Sequence, residues 1–188
     1  MKIKKSHRNN LIMLVVIGLL IIPQVRRQLQ IVLHKGLSYV NSSTFIEVDN
    51  RKSLAEPNWQ LKSDSDINLD FRETKGKVVF INFWATWCPP CIAEMPSIQK
   101  LYDDYNDKVV FLLVTNDRFG TVEKFKSKEN YNFPVFNPLN DVPKELKTFA
   151  IPRTFILNKK GEIVVDESGA VDWNSDKVRS QLNQLLSE

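Results

Sequence analysis

Cysteine and histidine are scarce in this chain, two of each among 188 residues. Two cysteines cannot build the multi-bridge framework of a small secreted scaffold. A tetrahedral zinc site takes four ligands. The only histidines, His7 and His34, lie far upstream of Cys88 and Cys91, so no metal site is expected. No repeat and no low-complexity tract is present. Long greasy runs are also wanting. The best, Leu11–Ile22, has twelve residues, where about 20 span a bilayer. Acidic residues are absent from positions 1–35, which hold seven of the 26 Lys and Arg. The remaining 19 bases face 22 acids, so the body of the chain is mildly acidic. The basic excess therefore belongs to the greasy segment, and a nucleic-acid partner is excluded.

What is present is an ordinary globular composition, 43% apolar and 26% charged, long enough for one domain plus an appendage. Four regions are expected: a basic leader (1–10), a transmembrane anchor or signal segment (11–25), a juxtamembrane connector (26–44) and the main folded domain (45–188). Pro23-Gln24-Val25-Arg26-Arg27 follows the apolar run, with no small-residue cleavage site. That favours a retained anchor over a cleaved signal. Snorkelling of Arg26 and Arg27 lengthens the effective span. The charge bias places the amino terminus in the cytoplasm and exports the large domain.

The apolar run Val78–Trp84 alternates too little for a half-exposed strand and reads as central and parallel. A helix from about Pro89 to Tyr105 follows, then a buried strand over 109–114, a helix near 121–130 and a short strand near 133–136. A helical turn near 143–149 comes next. Asn158-Lys159-Lys160-Gly161 separates two β-rich runs as a hairpin turn. A last helix covers 176–186, with Val178, Leu182, Leu185 and Leu186 on one face. Phe45–Val48 and Trp59–Leu61 read as edge strands. The order describes an α/β fold, a mixed sheet flanked by helices.

The chemistry concentrates in Trp87-Cys88-Pro89-Pro90-Cys91. Positions three apart at a helical turn lie within the roughly 4.4–6.8 Å Cα separation of a disulfide. With no third cysteine, an internal disulfide must join these two. At the helix N-terminus, free N–H groups and the dipole favour a thiolate at Cys88, the candidate nucleophile. Cys91, one turn in, is the candidate resolving thiol. Pro89 and Pro90 have no N–H to offer Cys88. A less stabilised thiolate makes a weaker oxidant, so the dithiol is expected to reduce its partners.

These residues resemble the thioredoxin superfamily, and within it the membrane-anchored TlpA/ResA-like thiol–disulfide oxidoreductases. The resemblance runs from about Lys77 to the C-terminus and rests on Phe83–Cys91, on Pro96 inside the helix, on Ala150-Ile151-Pro152 and on Gly169-Ala170. It implies a thioredoxin-like fold with a strand–helix insertion (109–130) and an N-terminal strand extension. It implies that Pro152 is cis and faces the cysteines, that Ile151 pairs with a substrate strand, and that Trp87, Pro89 and Ile151 form a docking patch. Asn82 stands where thioredoxin has a buried Asp. Glu94, three residues after Cys91, matches the active-site Glu of ResA-like members and is the candidate proton acceptor.

The resemblance also implies oxidised protein substrates on the periplasmic side, apocytochrome c among them, and a transmembrane electron donor. No cofactor beyond the dithiol is expected. Two alternatives stay open: a thiol peroxidase, and a non-enzymatic metal- or haem-binding or docking module on the same scaffold.

Overall fold

The computed structural model describes residues 5–54 and 57–188. Residues 1–4 of the expected leader lie outside them. Two helices open the chain, α1 (Lys5–Ile21) and α2 (Pro23–Ser38). Strands β1 (Gln60–Ser63) and β2 (Asn68–Asp70) precede β3 (Val78–Phe83), α3 (Pro89–Tyr105), β4 (Val109–Val114), α4 (Phe119–Glu129) and β5 (Val135–Pro138). The hairpin β6 (Arg153–Leu157) and β7 (Ile163–Ser168) and the helix α5 (Asp176–Ser187) close it.

The strands form one sheet in the order β2-β1-β5-β4-β3-β6-β7. β3, β4 and β5 run parallel, while β1 and β2 on one side and β6 and β7 on the other are antiparallel. This is the expected thioredoxin-like mixed sheet, with the β4–α4 insertion and an N-terminal extension. All six residues of β3 are buried, as a central strand covered on both faces requires. Its alternation sorts two cores. Val78 and Phe80 pack with Met95, Ile98 and Leu101 of α3 and with Trp173. Val79, Ile81 and Phe83 pack with Trp59, Leu61 and Leu146. The same period of two puts Asn82 on the α3 face.

Some elements differ from expectation. Phe45–Val48 is not a strand: Ile46 N–H donates once to Val164 O (2.8 Å), and a single-turn helix begins at Val48. The turn expected over 143–149 is confined to Lys144–Leu146. The hairpin turn forms as read, with Gly161 at φ 79° and its N–H bonded to Asn158 O, a conformation that suits glycine.

The N-terminal segment divides elsewhere than expected. Proline disfavours helical backbone in the residue before it. Ile22 accordingly has ψ 116°, α1 stops at Ile21, and Pro23 starts α2. The expected connector is thus largely helix, packed on α3. Among the described residues no helix is long and apolar enough to cross a membrane.

Candidate active site

β3 ends at Phe83, and the turn 84–88 delivers the chain to α3, where Cys88 is the N-cap. Cys88 and Cys91 form a disulfide with Cα atoms 5.3 Å apart. Cys91 N–H donates to Cys88 Sγ at 3.3 Å. It is the sole donor the first three helical residues can supply, because Pro89 and Pro90 occupy the first two positions. Cys91 is fully buried, whereas Cys88 keeps 4% exposure. A nucleophile or a substrate sulfur can therefore meet this pair only at Cys88.

The loop before β6 closes over the sulfur. The Ile151–Pro152 peptide is cis, and Ile151 O lies 3.8 Å from Cys88 Sγ. Trp87 stands out into solvent at 65% exposure. Next to it runs a groove of about 390 Å³, walled by Trp87, Val142, Leu146, Phe149 and Ile151. The structure thus brings Trp87, Cys88, Ile151 and Pro152 to one mouth. Pro89 is half-buried at the helix start.

Glu94 is fully buried beneath this surface. Its carboxyl receives Asn82 Nδ2 (2.8 Å), Trp173 Nε1 (2.9 Å) and Val171 N–H (3.4 Å). Desolvation dominates these three donors and pushes its pKa up to about 8. This places the carboxyl next to the ordinary thiol range of about 8.5. Asn82 also donates to Thr154 Oγ1 (2.8 Å), tying β3 to β6.

Sequence reasoning missed Asp117. Its Oδ2 accepts from both Thr86 N–H (2.7 Å) and Thr86 Oγ1 (2.8 Å), which fixes the turn that carries Trp87 and Cys88. A signal was available: β3 and β4 are parallel neighbours, so the loops at their carboxyl ends adjoin. The Asp117→Ala chain is expected to lose about 1–3 kcal/mol of stability, measured by urea unfolding; an unchanged midpoint would remove Asp117 from the support of this turn. Trp173 was also missed, since nothing local marks an indole that bonds a carboxyl 79 positions away. Among the described residues no three His, Cys, Asp or Glu side chains group as a metal site.

The profile of the Redoxin family matches residues 51–186, most of the chain and all of this site. The chain belongs to the redoxin family. The redoxin chain is 36% identical over 143 residues to the thiol-disulfide oxidoreductase ResA of Oceanobacillus iheyensis, covering 71% of this chain and 72% of the relative. Among solved structures, StoA from Bacillus subtilis is similar with a TM-score of 0.53 at 27% identity, over 71% of this chain and 98% of that one. A secreted thiol-disulfide isomerase from Corynebacterium glutamicum shares the fold, with a TM-score of 0.60 at 17% identity, over 79% and 93% of the two chains. With its cysteine pair bonded at the helix mouth, this redoxin is a thioredoxin-like thiol–disulfide oxidoreductase acting on protein substrates.

Proposed function

We propose that the chain is an exported, membrane-tethered reductant of protein disulfides. The observation that carries the direction is the helix mouth, where one N–H faces Cys88 Sγ and two prolines take the neighbouring positions. A thiolate held by a single donor is less stabilised, and the reduced form is correspondingly a better reductant. Cys88 thiolate attacks a substrate disulfide, forming a mixed disulfide and releasing one substrate thiolate. Cys91, its proton passed to Glu94 when that carboxyl is ionised, then attacks Cys88 Sγ. The second substrate thiolate leaves, and the electron pair has moved from the dithiol to the substrate.

The substrate strand lies along Ile151 beside cis-Pro152, with apolar neighbours of its cysteine on Trp87, Pro89 and the groove. Reduction for the next cycle comes from a transmembrane electron donor. The N-terminal segment supplies the tether, although α1 at 17 residues is about 25 Å long and needs a thinned bilayer or flanking polar residues to span. The TlpA/ResA-like resemblance points to apocytochrome c as one substrate.

Equilibration with glutathione buffers tests the direction. The Cys88/Cys91 couple is expected near the thioredoxin end of the scale, about −270 mV, and a value near −120 mV would make the protein an oxidant. The Pro90→His chain, which regains an N–H and gains a titratable base beside Cys88, is expected to shift the couple to a higher potential by some tens of millivolts (~30 mV per 1.4 kcal/mol). An unchanged potential would remove the donor count as its cause.

A further inference from the structure

α2 has two faces. Arg27, Ile31, His34 and Ser38, spaced three and four apart, turn toward the domain. Ser38 is buried, Ile31 and His34 are half-buried, and Arg27 Nη2 donates to Thr86 O (2.7 Å) at the turn that carries Cys88. The opposite face is apolar and uncovered. Val25, Leu29, Val32, Leu33 and Leu37 form a stripe at helical spacing, with Leu29, Val32 and Leu33 at 53%, 66% and 59% exposure. Five such residues in one continuous strip are not scattered surface apolars.

We infer that this outer face of α2 lies in the headgroup layer of an anionic bilayer, fixing the active-site helix against the membrane surface. The inference deepens the membrane-tethered reading and rests on it. Charge selects the occupant. The first acid of the chain is Glu47, and seven Lys and Arg precede it. Arg26 and Lys35 flank the stripe, and α2 carries no acid at all. A second copy docking here would bring this cationic surface against itself, whereas anionic phospholipid neutralises it. The chain also enters α2 directly from the apolar α1, whose Ile17, Leu20 and Ile21 are exposed. The strip is thus continuous with the segment that enters the lipid.

The functional consequence is geometric. Because Arg27 binds the Thr86 carbonyl, the helix resting on the lipid is coupled to the turn presenting the disulfide. The mouth is held at a set height and tilt, so the enzyme meets disulfides close to the membrane.

The test uses the unaltered full chain in vesicles of phosphatidylglycerol and phosphatidylcholine carrying a phospholipid with a shallow diazirine. After illumination, the lipid adducts are mapped by mass spectrometry. Adducts are expected at Leu29, Val32 and Leu33 as abundantly as on α1, and not at Ile67, an equally exposed apolar residue away from α2. Omitting phosphatidylglycerol is expected to lower the α2 adducts about fivefold. The Val32→Ser, Leu33→Ser chain is expected to lower them about tenfold with the α1 adducts unchanged. Adducts on α1 without any on α2 would overturn the inference and leave the tether standing. A chain not retained by the vesicles would overturn both. Equal labelling of Ile67 would overturn it as non-specific contact, and Lys35–Lys35 amine cross-links in place of lipid adducts would give the face to a second copy.

Discussion

The Cys88→Ser chain is expected to reduce protein disulfides at least about 10³-fold more slowly than the unaltered chain, the scale of loss when an activated nucleophile is removed. The geometry makes this asymmetric. Cys91 is fully buried and Cys88 keeps the only exposed edge of the pair, so a surviving Cys91 thiol cannot take over the attack. Overall stability is expected to fall much less than activity, because a bridge across three positions closes a very short loop and contributes little loop entropy. A Cys88→Ser chain retaining more than a tenth of the rate, followed by release of substrate thiols, would place the chemistry elsewhere.

The second large effect concerns Glu94. Its folded pKa of about 8 lies above the ordinary 4.5. Between those values the folded chain holds one proton more than the unfolded chain, so stability falls as pH rises. The slope is about 1.4 kcal/mol per pH unit, and the loss saturates above pH 8. Below pH 4.5 both states are protonated and this cost vanishes. In the Glu94→Gln chain the slope is absent. Gln offers one acceptor oxygen where the two carboxyl oxygens of Glu94 accept from three N–H donors, which costs about 1–3 kcal/mol at every pH.

The stability difference between the two chains is therefore expected to move in favour of Gln by on the order of 4 kcal/mol between pH 4.5 and pH 8. Urea unfolding of the oxidised chains at several pH values measures it. Parallel pH curves would mean that Glu94 ionises freely in the fold. The same variant is expected to flatten the pH profile of disulfide exchange near pH 8, since Cys91 loses its proton acceptor.

Much of the fold is legible in the sequence because its decisive elements carry strong local patterns. The uninterrupted run Val78–Phe83, the Pro89-Pro90 helix start and the Asn158–Gly161 turn each admit one reading. Phe45–Val48 alternates like a strand, but it meets β7 through a single backbone bond, and alternation alone cannot supply a partner. The break between α1 and α2 follows from Pro23, whose local effect is readable, yet the greasy run on its N-terminal side invites counting straight through it.

The site divides the same way. Cys88, Cys91 and the Ile151–Pro152 loop are marked by motif, and the structure gathers them at one mouth. Glu94 admits two readings in sequence, a solvated carboxylate on a helix face or a buried partner of the cysteines. Burial excludes the first, and it is produced by Trp173 and Asn82, residues from a loop and a strand that no spacing connects to it. Asp117 is silent in sequence because its role depends on two loops becoming neighbours only when β3 and β4 pair.

The central claim is that Cys88 exchanges disulfides with a second protein and Cys91 completes the exchange. Trapping tests it most directly. The reduced Cys91→Ser chain is mixed with a disulfide-bonded protein, and the products are weighed by intact mass spectrometry. The account predicts a one-to-one covalent adduct through Cys88, cleaved by dithiothreitol and missing from the Cys88→Ser chain. Absence of any adduct, with the Cys88 thiol inert to the disulfide in the folded protein, would contradict it.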